Sequence, residues 1–131
     1  MPRRKKTEQL TPLELEIMNV LWEIGSANVQ TVQQNLRREL AYTTVQTMLN
    51  VLQTKGKVKR RLKDRAYFYH SVVSRRRIIE QTVSDIIDRL FGGSTESFVM
   101  GLVETKHLTP DRLDHLQKML AEKEEETDGR D

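Results

Sequence analysis

The 131-residue sequence contains no cysteine and has few aromatic residues. Without cysteine it can form neither a disulfide framework nor a cysteine-ligated metal cluster, which fits a reducing cytosol. Aromatic residues make up 5% of the chain and charged residues 31%, so we expect a modest aliphatic core and favour helices over an extensive sheet. No apolar run reaches about eighteen residues, and the basic N-terminus lacks the pattern of a signal peptide. These absences predict a cytoplasmic protein of one domain, or of one domain with an appendage.

The motifs of common enzyme classes are absent as well. The sequence has no glycine-rich phosphate loop, no cysteine nucleophile and no H-E-x-x-H helix. Its serine and histidine residues fall in segments typical of helix caps and surfaces, so no convergent set defines a reaction. We therefore predict that the protein is not an enzyme and uses no cofactor.

The net charge of +3 is unevenly distributed along the chain. Residues 1–73 hold 13 Lys and Arg against 6 Asp and Glu, whereas residues 74–131 hold 9 against 13. The basic half is the candidate for binding a polyanion, and the acidic half should avoid one. Residues 1–9 are predicted to be a disordered basic tail. The tail is interpreted either as a phosphate contact or as a solubilising segment, and the sequence favours neither.

The sequence is organised around residues 43–55, TTVQTMLNVLQTK. At about 100° per residue, its apolar side chains fall on one face of a helix: Val45, Met48, Leu49 and Leu52. The opposite face carries only hydroxyls and amides: Thr43, Gln46, Thr47, Asn50 and Thr54. Such uncharged groups suit the reading of base edges in a major groove, although an ordinary solvated helix face would look the same.

Two further helices precede this segment. Thr11-Pro12 with Glu14 is a capping-box start, and the helix that follows is predicted to end near Gly25. Its core face comprises Leu13, Ile17, Val20, Leu21 and Ile24. Ser26-Ala27-Asn28 is read as a connection into a second helix, whose core positions are Val29, Val32, Leu36 and Leu40. Arg37 and Arg38 are placed near the end of that helix, where they favour the helix dipole, and Ala41 or Thr43 caps the central helix.

A basic β-hairpin follows the central helix, which Gly56 ends. Residues 57–62 and 66–73 are predicted strands, with Lys63-Asp64-Arg65 as the turn. The basic cluster comprises Lys55, Lys57, Lys59, Arg60, Arg61, Lys63 and Arg65. Three helices and then a basic hairpin predict a winged helix-turn-helix over residues 10–73. The fold class is therefore mainly α with a small β-hairpin.

Residues 74–124 are predicted to form three short amphipathic helices that begin at Ser74, Ser94 and Thr109. So few residues cannot bury their apolar faces alone, so a second copy of the chain is expected to cover them. The predicted dimerisation residues are Ile79, Val83, Ile86, Ile87, Leu90, Phe98, Val99, Leu102, Leu113, Leu116 and Leu120. The alternative is that these helices pack back on the winged domain. Residues 125–131 are predicted to be a charged tail.

Three stretches resemble one known family. They are Leu10–Glu14 with Ile17–Trp22, Thr43–Leu49 with Lys55-Gly56, and Asp64–Tyr69, and their order and spacing are similar to the opening helix, recognition helix and wing of the penicillinase-repressor family (BlaI/MecI/CopY). The likeness covers roughly residues 8–124. It implies a bacterial transcriptional repressor that binds dyad operators as a homodimer through its N-terminal winged helix, with the C-terminal helices dimerising.

The resemblance also bears on the inducing signal. In the β-lactam branch, a membrane receptor leads to proteolysis in the C-terminal domain, so a sensor-linked protease is an implied partner. The scissile Asn-Phe pair of that branch falls on Gly101-Leu102 here, and neither residue matches. The resemblance therefore does not extend regulatory cleavage at that bond, or a β-lactam signal, to this chain. The copper branch uses paired C-terminal cysteines, and their absence excludes that route.

The predicted partner is thus double-stranded DNA with a palindromic operator. We expect Gln46, Thr47 and Asn50 to contact base edges, and Thr43 and Thr44 to hold phosphate at the helix start. The salt-dependent contacts are assigned to Lys57, Lys59, Arg60, Lys63 and Arg65, although strand alternation prevents all of them from facing DNA at once.

Two other functions remain compatible with the sequence. One is a metal-responsive regulator that uses His70, His107 and His115 with nearby carboxylates, although surface or half-buried histidines explain the same residues. The other is a winged-helix module whose basic hairpin binds an acidic protein.

Overall fold

The computed structural model of the protein describes residues 9–128, which contain six helices and three strands. The elements are α1 (Pro12–Ile24), β1 (Ser26–Ala27), α2 (Val29–Asn35), α3 (Tyr42–Thr54), β2 (Val58–Lys63), β3 (Ala66–Ser71), α4 (Arg75–Leu90), α5 (Thr95–Glu104) and α6 (Pro110–Asp128). The predicted fold class, mainly helical with a small sheet, is confirmed. Residues 1–8 of the predicted basic tail and residues 129–131 of the predicted charged tail lie outside the described residues.

The chain divides into a first compact unit that ends at Glu80 and a second that begins at Gln81. The predicted boundary lay at residues 73/74, between β3 and α4. That boundary stays a prediction; α4 is one continuous helix from Arg75 to Leu90, which begins in the first unit and ends in the second.

The sheet of the first unit has three antiparallel strands in the order β1-β3-β2. Its third strand corrects the prediction that residues 26–28 are only a connection. Ser26 pairs with His70 and Ala27 with Tyr69, and Ala27 is buried. A strand of two residues is too short to show an alternating pattern in the sequence.

The start of α1 forms as predicted. Thr11 accepts from the backbone N–H of Glu14 at 3.2 Å, and the Glu14 carboxylate accepts from the backbone N–H of Thr11 at 2.9 Å. Of the predicted core face, Ile17, Val20 and Leu21 are buried, whereas Ile24 is 42% exposed at the last turn of the helix. Met18 is fully buried, although its position was not assigned to the core.

α2 is shorter than the periodicity predicted. It ends at Asn35, because Leu36 has an extended backbone. Leu36 and Leu40 still pack against the core, but they do so from the segment that follows the helix. Arg37 and Arg38 therefore do not lie on α2, which corrects their predicted placement, and Arg38 forms an ion pair with Glu16.

α3 ends where glycine was predicted to end it. Gly56 has a φ of +76°, which glycine adopts without steric cost. The N–H of Gly56 donates to the carbonyl of Gln53 at 3.0 Å, and that of Lys57 donates to the carbonyl of Leu52 at 2.9 Å. This pair of bonds is a Schellman motif, which satisfies the last carbonyls of the helix and turns the chain into β2.

The three helices that follow the sheet have their starts capped at the predicted residues. Ser74, Ser94 and Thr109 accept from the backbone N–H groups of Arg77, Ser97 and Arg112. No side chain between residues 81 and 127 is buried. α6 continues to Asp128, so residues 125–128 prolong the helix beyond the position where the charged tail was predicted to begin. Among the described residues, no helix is long and apolar enough to cross a membrane.

A buried ion pair joins the first turn of α1 to the end of α3. The Glu14 side chain is 1% exposed, and Lys55 Nζ donates to its Oε1 at 2.8 Å. Lys55 Nζ also donates to the carbonyl of Gln9 at 3.0 Å. Burial opposes ionisation of Glu14, but the hydrogen bonds from Lys55 and Thr11 outweigh that effect and lower the pKa of Glu14 below its ordinary value of 4.5.

This pair predicts a pH-dependent stability. Because folding lowers the pKa of Glu14, its ionised form stabilises the fold above about pH 4.5, and that contribution is lost as the pH falls through the folded pKa. Glu14→Gln should therefore lower the free energy of unfolding by about 2 kcal/mol at pH 7 and by less below pH 4. Urea unfolding at both pH values measures this difference. Glu16→Gln, at a half-exposed carboxylate on the same helix, is the control and should cost under about 1 kcal/mol. An equal loss for Glu14→Gln at both pH values would show that ionisation of Glu14 is not involved.

Candidate nucleic-acid interface

The two faces of α3 separate as the sequence pattern indicated. Val45, Leu49 and Leu52 are fully buried. The opposite face presents uncharged polar groups that are exposed to solvent: Thr43, Thr44, Thr47 and Asn50. Because the apolar face is held in the core, α3 cannot rotate, and the same four side chains always face outward.

The N-terminus of α3 has no side-chain cap. Its N-cap residue is Ala41, which cannot accept a hydrogen bond, and the first turn contains no acidic residue. Backbone N–H groups at such a helix start are left for an external acceptor, and the helix dipole adds partial positive charge there. With the hydroxyls of Thr43 and Thr44 beside it, this end of α3 is suited to an anion such as a backbone phosphate.

Gln46 is placed differently from the other predicted reading residues. Its side chain is half-buried, and its Nε2 donates to the hydroxyl of Tyr69 at 2.9 Å and to Oδ1 of Asn50 at 3.2 Å. Tyr69 is itself fully buried. Sequence reasoning did not identify Tyr69 as part of this site, because only the sheet register brings it beneath α3.

The register of the hairpin divides its basic residues between two faces. Arg60 pairs with Tyr69 and Leu62 with Tyr67, so these residues share the face that also carries buried Val58. The guanidinium carbon of Arg60 lies 4.0 Å from the centre of the Tyr67 ring, a cation–π contact. The opposite face carries a second basic set: Lys59, Arg61 and Lys63. Arg61 was left out of the predicted contacts, although its two-residue spacing from Lys59 and Lys63 would have placed it with them.

Two members of the predicted basic cluster have structural roles. Lys55 is bonded to Glu14 and only 13% of its side chain is exposed, so it is not available to a polyanion. Lys57 is half-buried, and its backbone N–H completes the C-terminal turn of α3. The exposed cations of the hairpin are therefore Lys59, Arg60, Arg61, Lys63 and Arg65.

The hairpin turn contains two residues, where three were predicted. Lys63 pairs with Ala66 at the end of the ladder. Asp64 and Arg65 between them have φ values of +50° and +68°. Two successive positive φ angles define a type I′ turn, whose twist matches that of the flanking strands. The turn therefore projects the exposed Arg65 at the tip of the hairpin, in a backbone conformation that favours glycine.

Histidines and carboxylates do not converge within residues 9–128, where no group of three such side chains could hold a metal ion. His107 Nδ1 lies 2.8 Å from the hydroxyl of Thr105. Gly101 and Leu102, at the aligned cleavage position, lie inside α5. A Cβ added at Gly101 would lie 2.9 Å from the ring of Phe91, so glycine here permits close packing of that ring.

A family model described as penicillinase repressor matches residues 10–122 of this chain. The methicillin resistance regulatory protein MecI of Mammaliicoccus sciuri is 28% identical over 120 residues, which cover 90% of this chain and 98% of that protein. The transcriptional regulator BlaI of Mycobacterium tuberculosis (strain CDC 1551 / Oshkosh) is 34% identical over 125 residues, which cover 91% of this chain and 88% of that protein.

A comparison with solved structures gives a likeness in fold. The complex structure of hsRosR-S4 has a TM-score of 0.53 and 14% sequence identity, and the match covers 95% of this chain and 97% of that chain. At this level of identity the likeness concerns the fold alone.

The turn geometry predicts that two glycine substitutions at the hairpin tip, each of which removes one positive charge, have opposite effects on stability. Arg65→Gly should raise the free energy of unfolding by about 0.5 kcal/mol, because glycine adopts the positive φ without the steric cost that arginine bears. Lys63→Gly removes the same charge from a regular strand position and should lower it by about 0.5–1 kcal/mol. Urea unfolding of the two variants provides the comparison. A loss of stability in both would contradict the assigned turn.

Proposed function

The chain belongs to the penicillinase-repressor family, and from this premise we propose that it represses transcription as a homodimer bound to a two-fold symmetric operator. Family membership makes it a DNA-binding transcriptional repressor and not an enzyme, which confirms both predictions. The proposal concerns how it binds: the base contacts, the phosphate contacts and the dimer.

One observation carries the proposed DNA contact. A rigidly held helix presents an uncharged polar face next to a hairpin with five exposed cations. Hydroxyls and amides can donate to and accept from base edges, whereas cations recognise the backbone regardless of sequence. A helix face for specificity and a basic hairpin for affinity are the two parts that a sequence-specific binder needs.

We assign the base contacts to Thr47 and Asn50, with Gln46 at the edge of the same face. Thr43 and Thr44 hold a phosphate at the uncapped start of α3. The hairpin supplies the backbone contacts, from the predicted set Lys57, Lys59, Arg60, Lys63 and Arg65, among which Lys57 is the least exposed. If about six phosphates are neutralised per dimer, log K should fall with log salt concentration at a slope of about −5.

The second unit supports the dimer. Its helices expose large apolar side chains that a folded chain ordinarily covers, among them Val83 at 36% exposure, Val99 at 40% and Leu113 at 43%. With no buried side chain between residues 81 and 127, this unit lacks a core of its own, and a second copy would provide one. We place the dimer contacts on the predicted residues of α4, α5 and α6.

The presence of two winged modules in the dimer explains how the protein distinguishes its operator from other DNA. One winged module buries too little surface to be selective, whereas two modules on two half-sites add their binding free energies. Residues 10–73 then bind DNA and residues 74–124 hold the pair together. Promoter occlusion follows from operator occupancy, and any event that separates the subunits releases the operator.

We propose no cleavage at Gly101-Leu102. Neither residue matches the scissile pair, and the carbonyl oxygen of Gly101 accepts both the backbone N–H and the hydroxyl of Thr105. A sensor-linked protease that cuts elsewhere in residues 74–124 would still release DNA by separating the subunits.

A footprint on the promoter upstream of the chain's own gene tests the proposal. We expect a protected region with two-fold symmetry, whose half-sites are spaced by about 10 base pairs or a multiple of that distance. Protection that appears only at concentrations at which random DNA is also bound would refute sequence-specific repression.

The contact assignment predicts that two kinds of substitution act differently. Thr47→Ala and Asn50→Ala should each weaken operator binding about tenfold and leave binding to random duplex nearly unchanged, because only base contacts are lost. Arg60→Glu with Lys63→Glu should weaken both and flatten the salt slope. Fluorescence anisotropy with the two duplexes at several salt concentrations measures both effects. Equal losses on both duplexes for the alanine variants would remove Thr47 and Asn50 from the base contacts.

The dimer is tested by placing charge on its proposed faces. Ile86→Asp combined with Leu116→Asp should yield monomers in analytical ultracentrifugation, because carboxylates cannot be buried unpaired at an apolar contact. Gln81→Asp combined with His115→Asp, at exposed positions on the opposite faces of the same helices, is the matched control and should remain dimeric. A persistent dimer in the first variant would place the contact on other residues.

A further inference from the structure

Three polar side chains connect the core of the first unit to the reading face of α3. Tyr69, 0% exposed, contributes its hydroxyl at the inner end. Gln46 Nε2 lies 2.9 Å from that hydroxyl and 3.2 Å from Oδ1 of Asn50, which is exposed at the outer end. The chain of bonds therefore runs from a fixed residue of the sheet to a proposed base contact.

These hydrogen bonds define the orientation of the Asn50 side-chain amide. A carboxamide nitrogen has two N–H groups, and both of those on Gln46 point to acceptors, one on Tyr69 and one on Asn50. Because Oδ1 of Asn50 accepts from Gln46 and Asn50 is exposed, its Nδ2 is the end of the amide that is left for another partner. Asn50 therefore presents two donors at the surface where a base edge would lie.

We infer that Tyr69 and Gln46 are positioning residues that fix Asn50 as a hydrogen-bond donor, so that it reads guanine in the operator. This inference rests on the proposed function, because it concerns which base that same face recognises. In the major groove, guanine presents two acceptors, N7 and O6, whereas cytosine presents only the N4 amino donor. Adenine pairs best with an asparagine that donates and accepts at once, and Gln46 already occupies one of the two acceptor positions of the Asn50 oxygen.

Fixing the amide also reduces the cost of recognition. A free surface asparagine has to lose side-chain rotamers when it binds, whereas Asn50 is already held by Gln46. Gln46 is in turn held by a buried hydroxyl that would be costly to leave unpaired. Tyr69 thus acts on base selection without touching DNA.

The first test measures base preference in wild type and in Tyr69→Phe. Competition binding with all four bases at each operator position gives the preferences, and the position that loses its preference in Asn50→Ala is the one that Asn50 reads. Wild type should prefer guanine there. Tyr69→Phe should reduce that preference by roughly 2- to 10-fold and leave the other positions and the affinity for random duplex unchanged.

Tyr67→Phe is the matched control, because it removes an exposed hydroxyl from the same face of the same strand. It should leave every preference unchanged. A Tyr69→Phe variant that behaves like Tyr67→Phe would overturn the positioning role.

A second variant decides the question if Tyr69→Phe fails to fold. Asn50→Asp, at an exposed position, replaces the outward donors with an acceptor and should shift the preference from guanine to cytosine. A wild-type preference for cytosine at that position would mean that the Asn50 oxygen faces outward, and would overturn the inference. Absence of any base preference in wild type would instead refute the proposed function itself.

Discussion

Val45, Leu49 and Leu52 are fully buried where α3 packs against α1, α2 and the sheet. This burial removes the rotational freedom of the helix, so its outward face is set by packing and not by the ligand. The ends of α3 are defined as well: Ala41 leaves the first N–H groups uncapped, and Gly56 turns the chain into the hairpin. Together these constraints determine which side chains a partner meets. They also explain why the Glu14–Lys55 pair matters, since it ties the end of α3 to the start of α1.

Much of this architecture follows from local sequence signals. Thr11, Ser74, Ser94 and Thr109 each accept from a backbone N–H three residues ahead, and a capping residue can be recognised without knowledge of the fold. The apolar period of α3 likewise identifies its buried face. The strand that was missed, β1, depends on a distant partner. β1 exists only because Ser26 and Ala27 meet His70 and Tyr69, and α2 stops at Asn35 although its apolar spacing continues to Leu40.

The sequence identified most members of the candidate site but not its geometry. The polar face of α3 and the basic hairpin are visible in the sequence, because both rest on periodicity. The bonds that organise them are not, since Gln46 and Tyr69 are 23 positions apart and Arg60 meets Tyr67 only through the strand register. Lys55 is a second example of a contact that the sequence pattern does not reveal. Its charge suggests a solvent-facing cation, yet a carboxylate 41 positions away holds it in the interior.

The exposed apolar faces of α4, α5 and α6 have a consequence for gene dosage. If those faces are covered only when two chains meet, the amount of paired protein varies with the square of the free-chain concentration while pairs are scarce. Halving the synthesis of the chain would then reduce the paired form about fourfold. Occupancy of such a promoter then changes more steeply than the cellular level of this protein, without any small molecule having to bind.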